Sequence, residues 1–241
     1  MKKRNKKPAR AITTREAQDI RDCLAESESK YKAERDCMLF NIGIATGYRM
    51  QDLVDLKIRD LKIFLDNGYF SIMEKKKVNA LKAKLNGQEV GMDEQGEDIF
   101  ISPDEIINKK VKPREVEIIP ELRVLIRSYI EGKKNRSYAF MTTKCKKEEL
   151  EKGEAINISR ESFSKIVKAA GMKACKMNNI TGHSLRKCYA KNIYDETNGD
   201  IFLVKDMLGH SSIEVTKRYL GLDKIIRSEA QRGLSKLFSR Y

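Results

Sequence analysis

Helix punctuation recurs along the chain and restricts it to a mainly α-helical fold. Thr13, Ser159, Asp200 and Ser212 each stand where an apolar-periodic segment begins. There a short oxygen side chain can accept from a free backbone N–H. Gly47, Gly132, Gly171 and Gly209 stand at the far ends of such segments, where left-handed backbone stops a helix. Thr13-Thr14-Arg15-Glu16 forms a capping box. This punctuation predicts helices from Thr13 to about Glu28, from about Tyr31 to Ala45, and a short one through Gln51–Leu56. It predicts further helices from Pro120 to about Glu131, from Ser159 to Gly171, from Gly182 to about Asp195, from Asp200 to Gly209 and from Ser212 to Leu220. A last amphipathic helix is expected over 223–238.

Strand signals are few. Leu61–Leu65 and Tyr69–Met73 flank Asp66-Asn67-Gly68, which predicts a β-hairpin. Residues 75–112 are lysine-rich and weakly periodic. They read as a long excursion at a strand connection, with short strands around Ile99–Ile101. Arg114-Glu115-Val116-Glu117-Ile118 alternates like a half-buried strand. The expected fold class is therefore mainly α with a small antiparallel β-sheet (α+β). Residues 1–12 read as a basic flexible tail and 13–241 as one domain, with an insertion over about 78–112. The sequence has no internal repeat, and no Pro/Gly-rich linker divides it after residue 12.

The balance of charge narrows the partner. The 241 residues carry a formal net charge of +14. Such a cation excess favours a polyanion, because each neutralised phosphate releases counterions. No apolar run approaches the roughly 18 residues of a membrane span, so no membrane is expected. The basic N-terminus lacks the apolar stretch of a secretory signal, and a cytoplasmic, nucleoid-associated protein is expected. The 5 cysteines are scattered and contain no C-x-x-C, which fits reduced thiols rather than disulfides or a zinc site. No cofactor and no metal are expected.

Histidine is used only 2 times, at His183 and His210. His183 and Arg186 lie three residues apart, on one face of a predicted helix. Leu185, Tyr189 and Ile193 form an apolar stripe beside that face. His210 follows a glycine at a helix end, and Tyr219 lies on or just after the next helix. Arginine grips a phosphate through a two-pronged fork. Histidine moves a proton or donates to phosphate, and a tyrosine hydroxyl can act as a covalent nucleophile. Together they suit attack on a phosphodiester that leaves a phosphotyrosine link. No acidic ligand cluster accompanies them, so a metal-free route is the natural one.

Three blocks resemble the tyrosine recombinase, or phage integrase, family. Thr46-Gly47-Tyr48-Arg49-Met50-Gln51-Asp52-Leu53-Val54-Asp55-Leu56 resembles its first box, with Asp52 where glutamate is usual. His183-Ser184-Leu185-Arg186 resembles its H-x-L-R box. Leu208-Gly209-His210-Ser211-Ser212 with Thr216-Lys217-Arg218-Tyr219 resembles its third. The resemblance spans about residues 11 to 225 and implies a catalytic domain. It makes Tyr219 the nucleophile, with Arg49, Arg186, His183 and His210 around the scissile phosphate. Tyr189, Tyr194 and Tyr241 lack the surrounding motif.

The resemblance also implies a hairpin lysine that protonates the 5′ leaving oxygen. Counting from Ile72 selects Lys76, with Lys75, Lys77 and lysines in 78–112 left open. By resemblance the partner is double-stranded DNA, the assembly a homotetramer on DNA, and the purpose integration or excision of a mobile element. The family's usual N-terminal core-binding domain, of about 80–100 residues, is expected to be absent, because only about 12 residues precede the first expected helix. Either the chain is shortened, or a partner protein supplies that half of the DNA clamp. Two alternatives stand beside recombination: relaxation of DNA by a type IB topoisomerase-like activity, and DNA binding without autonomous recombination. The 223–238 helix packs either on its own domain or on a neighbouring protomer.

Overall fold

The computed structural model describes residues 9–85, 89–92, 98–143 and 156–222, with residues 228, 231 and 232. The expected 223–238 helix, the extreme N-terminus and Cys145 lie outside these for the most part. The helices of the first half are α1 (Thr14–Ala25), α2 (Lys30–Thr46), α3 (Met50–Val54) and α4 (Ile58–Asn67). Strand β1 (Tyr69–Ile72) then leads to α5 (Lys75–Lys82), β2 (Glu89–Met92), β3 (Asp98–Ile101), α6 (Pro103–Lys110) and β4 (Arg114–Glu117). The second half is α7 (Pro120–Ile130), α8 (Arg160–Cys175), α9 (Gly182–Glu196), α10 (Ile201–Leu208) and α11 (Ile213–Leu220). The fold is mostly helical with small antiparallel pairings, as the sequence predicts.

The expected caps do their work. Thr13 and Glu16 satisfy each other's backbone N–H groups across the first turn of α1. Ser159, Asp200 and Ser212 each accept from a backbone N–H in the first turn of α8, α10 and α11. These contacts replace partners that the helix itself cannot supply.

The core gathers around α2, whose Leu39, Phe40 and Ile42 are inaccessible to solvent. Helices α1, α7 and α9 pack against it. Gly43 sets the separation of α2 from α9, because a Cβ there would lie 2.7 Å from Leu185 Cδ1. A small residue thus lets the helix bearing His183 and Arg186 approach closely. A second cluster joins Leu85, Ile106, Ile107 and Val111 to Met73, Val78 and Leu81, which fixes α5 against α6. A third joins Tyr189, Ala190, Val204 and Leu208 to Tyr219 and Leu220. It seats α10 and α11 on α9.

Two expectations are corrected. Leu61–Leu65 is not a strand; it belongs to α4. Ile58, Leu61, Phe64 and Leu65 are all buried, and that spacing follows the helical period. Asn67-Gly68, read as a hairpin turn, is instead the helix stop, with Gly68 left-handed at φ 84°. Strand β1 pairs with the distant β4, Tyr69 opposite Glu117 and Ile72 opposite Arg114. The second correction concerns Gly171, which does not end its helix. Helix α8 continues to Cys175, and Gly171 lies inside it because Ile180 packs on it, 3.0 Å from where a Cβ would stand.

Gly47 does end α2, left-handed at φ 59°, and a Cβ there would fall 2.3 Å from Tyr189 Cδ1. Gly132 is also left-handed, at φ 69°, but has nothing within 4 Å. Gly132→Ala is expected to cost only the backbone penalty, about 1 kcal/mol. Gly47→Ala adds a clash with a buried ring and is expected to cost about 3 kcal/mol or more. Urea unfolding of the two variants reads the difference.

Candidate active site

Arg186, the fifth residue of α9, is 2% exposed. Its Nη1 donates to the carbonyl of Gly47 at 2.6 Å and to Glu74 Oε1 at 3.1 Å. Its Nη2 donates to the carbonyl of Leu208 at 2.6 Å. Both carbonyls lie at helix ends, of α2 and α10, which are short of donors. Arg49, at the start of α3, places Nη1 2.5 Å from the same Glu74 Oε1. Arg114 of β4 donates to the carbonyls of Thr46 and Met207, both at 2.9 Å, and lies over the Tyr48 ring.

Glu74 is thus the shared anion, and its side chain is inaccessible. Burial alone would push its pKa up. Arg186, Arg49 and Arg114 outweigh burial and hold it below the ordinary carboxylate value. Neither Glu74 nor Arg114 was selected from the sequence. A signal existed. Phe70 and Ile72 are the buried residues of β1, and Glu74 stands at the next inward position. Arg114 shares its face with the half-buried Val116. A charge on the apolar face of an alternating segment marks a paired buried ion.

The run Lys75-Lys76-Lys77 opens α5 rather than lying on a hairpin strand, which corrects that expectation. The three ammonium groups part ways. Lys75 pairs with Asp55. Lys77 lies 3.7 Å from Glu74 Oε2. Lys76 makes no ion pair among the described residues; like Lys75 it lines the cavity that Arg49, His183 and Arg186 share, and its charge reaches both histidines.

That cavity is about 900 Å³ in volume. Arg49, Lys76, His183 and Arg186 line it, together with Arg160, Lys165 and Lys168 of α8. Tyr219 is wedged edge-on between the two imidazoles, with ring centroids 5.2 Å from His183 and 5.2 Å from His210. Its hydroxyl is buried, with Arg186 close to it but no hydrogen bond of good geometry among the described residues. Burial raises the phenol pKa well above its ordinary value, although Arg186 and Arg49 pull the other way. The ring borders a second cavity of about 360 Å³, shared with Arg10, Lys187 and Lys191. Four of the six predicted residues line the larger cavity, and ring contacts join Tyr219 to His183 and His210 to Tyr219.

His210 Nδ1 lies 3.0 Å from Thr216 Oγ1, and that hydroxyl donates to the carbonyl of Ser212. A hydroxyl has one proton to give, so Thr216 accepts from Nδ1–H and Nε2 carries the lone pair. Burial, then Arg186 and Arg49, hold His210 down at about 4. His183 is lowered by burial and by Lys187. Both rings are neutral at pH 7.

The pattern of the phage integrase family matches residues 12–224. The chain belongs to the phage integrase family. It is 25% identical over 193 residues to the probable integrase/recombinase YoeC of Bacillus subtilis, covering 80% of this chain and 81% of that protein. It is 37% identical over 68 residues to the tyrosine recombinase XerD of Staphylococcus epidermidis, covering 28% of this chain and 23% of that protein. Two solved structures share the integrase fold. The XerA recombinase has a TM-score of 0.57 at 19% identity, over 96% of this chain and 66% of that one. The Tn1549 transposon integrase, in complex with circular intermediate DNA, has a TM-score of 0.57 at 13% identity, over 95% of this chain and 68% of that one. No helix among the described residues is long and apolar enough to cross a membrane.

The low pKa of His210 links to stability with a definite sign. The unfolded imidazole takes a proton near 6.5, the folded one only near 4. Between those values the unfolded chain binds more protons, so stability falls as pH falls. The melting temperature is expected to drop between pH 7 and pH 5, and to drop less in His210→Gln. Melting curves at both pH values check this.

Proposed function

We propose that this chain is a site-specific DNA recombinase that cleaves and rejoins strands through a 3′-phosphotyrosine. The observation that carries the reading is the convergence of Arg49, Lys76, His183 and Arg186 on one basic cavity, with Tyr219 held between two neutral imidazoles. Membership of the phage integrase family supports it. So does the fold shared with an integrase solved on DNA.

The guanidinium groups of Arg49 and Arg186 hold the non-bridging oxygens and offset the charge that builds at phosphorus. The Tyr219 oxygen attacks phosphorus and His183 takes its proton. The bond from phosphorus to the 5′ oxygen breaks, and Lys76 protonates that oxygen. His210 is seated by Thr216 to support the phosphate. A second 5′-hydroxyl then attacks the phosphotyrosine and restores the diester. Bond energy is retained in the protein–DNA link, so no nucleotide cofactor is consumed. The lining cations Arg160, Lys165 and Lys168 suit a strand backbone, since such contacts position a duplex without reading its sequence. The active assembly is a homotetramer on two duplexes, serving integration or excision of a mobile element. A partner or a further segment supplies the other half of the DNA clamp.

A duplex nicked so that the 5′ fragment diffuses away traps the covalent intermediate. An adduct is expected with the unaltered chain and none with Tyr219→Phe. Salt-sensitive binding without an adduct would leave only a DNA-binding module. Exchange between two labelled duplexes separates recombination from relaxation.

Lys76→Ala is expected to slow adduct formation about 100-fold or more, and Lys75→Ala and Lys77→Ala far less. A substrate with sulfur in place of the 5′ bridging oxygen needs no proton donor to leave. It should restore Lys76→Ala close to the unaltered rate. No restoration would remove Lys76 from the role of general acid.

A further inference from the structure

The two arginines of the cavity are held in very different ways. Arg186 is fixed by the Gly47 and Leu208 carbonyls besides its contact with Glu74. Arg49 is 25% exposed along its side chain, and its one ion pair among the described residues is to Glu74. The same oxygen, Glu74 Oε1, meets both guanidinium groups, at 2.5 Å and 3.1 Å. Glu74 is itself inaccessible and does not line the cavity. It meets the arginines inside the protein, while both Arg49 and Arg186 line the cavity.

The acidic residue of the first sequence box does something else. Asp52 accepts from the backbone N–H of Lys75 at 3.0 Å and makes no ion pair with either arginine. The surroundings of Glu74 are built for it. Lys77 lies beside Oε2, and Gly209 leaves the room: a Cβ there would stand 2.6 Å from Lys77 Nζ and 3.5 Å from Glu74 Oε2.

We propose that Glu74 is the positioning residue of the site, a buried carboxylate that ties the movable Arg49 to the fixed Arg186 so that both present donors to one phosphate. This rests on the strand-cleavage reading above. Without the carboxylate, two cations stand side by side with no anion between them, and Arg49 swings toward solvent. The phosphate is then gripped by one guanidinium in place and one displaced.

The test separates rate from affinity. Single-turnover adduct formation on the nicked duplex is measured at saturating protein, alongside affinity for intact duplex and the melting temperature. Glu74→Gln keeps the shape and removes the charge. It is expected to cleave about 100-fold more slowly, the order of loss for a misplaced group. Its affinity for duplex should be unchanged or tighter, because a negative charge has gone. Glu74→Asp keeps the charge at shorter reach and should lose only about 10-fold. A merely structural role would lower rate and affinity together, in step with the folded fraction.

Glu74→Gln cleaving within about twofold of the unaltered chain would overturn the proposal. So would a parallel loss of rate and affinity. If Glu74→Gln does not fold, Glu74→Asp decides: it must fold and lose rate without losing affinity, and failure of both to fold overturns the proposal. An unaltered chain that forms no adduct sinks the strand-cleavage reading, and this inference falls with it. An adduct that forms equally fast with and without Glu74 sinks only the inference.

Discussion

One buried knot of charge holds the site and much of the fold together. Arg186 and Arg114 each reach across to the C-terminal ends of α2 and α10, at Gly47 and Leu208 and at Thr46 and Met207. Glu74, at the head of α5, neutralises them from a third side. Such a knot is costly in parts. An isolated buried guanidinium pays a desolvation penalty of several kcal/mol, which only full pairing offsets. Here the donors of Arg186 meet two helix-end carbonyls, groups that a helix leaves unsatisfied and that carry partial negative charge. Three elements far apart in sequence are thereby pinned to one another. The arginine that faces the cavity is also the one that fastens its walls.

The knot sets the chemistry of its neighbours. Burial first, and then its positive field, keep both imidazoles neutral. It pulls the Tyr219 phenol toward ionisation, yet burial wins and the hydroxyl stays protonated. The Tyr219 ring stands between two imidazoles able to accept a proton, its hydroxyl without a well-formed hydrogen bond among the described residues. An anion entering the cavity would favour a cationic imidazole and would hold the Tyr219 phenol protonated more firmly still. Charge brought by the ligand thus governs the protonation state of the groups that act on it.

Much of this was legible in the residues. The caps at Thr13, Ser159, Asp200 and Ser212 fixed helix starts, because capping is local chemistry that tertiary packing seldom overrides. The three motif blocks located Arg49, His183, Arg186, His210 and Tyr219, which the fold then gathers. What escaped depends on distant partners. Gly68 and Gly171 carry the same side chain, or lack of one, but answer to different neighbours. Gly68 ends a helix whose next strand pairs with β4; Gly171 stays helical because Ile180 needs its surface. Asn67-Gly68 serves as well for a helix stop as for a hairpin turn, and only pairing with Arg114–Glu117 decides. Glu74 escaped because a carboxylate before three lysines reads as a solvated charge run.

That run breaks a local rule. A helix N-terminus carries partial positive charge and favours acidic side chains. Helix α5 opens instead with three lysines, and the side chain of its N-cap, Glu74, turns inward without capping it. The helix is held in spite of its first turn, by Val78 and Leu81 packed on Ile106 and Ile107 of α6 and on Val111 just after it. A sequence chosen for stability alone would place serine or aspartate at position 74 and acids after it. Conflicts of this kind concentrate where function outranks local preference. Here the inward turn of Glu74 supplies the anion of the knot, and of the misplaced lysines Lys75 pairs with Asp55, Lys77 lies near Glu74 and Lys76 lines the cavity without an ion pair among the described residues. The excursion between β1 and β4 therefore does more than span a gap: its small core braces a first turn that could not stand by itself.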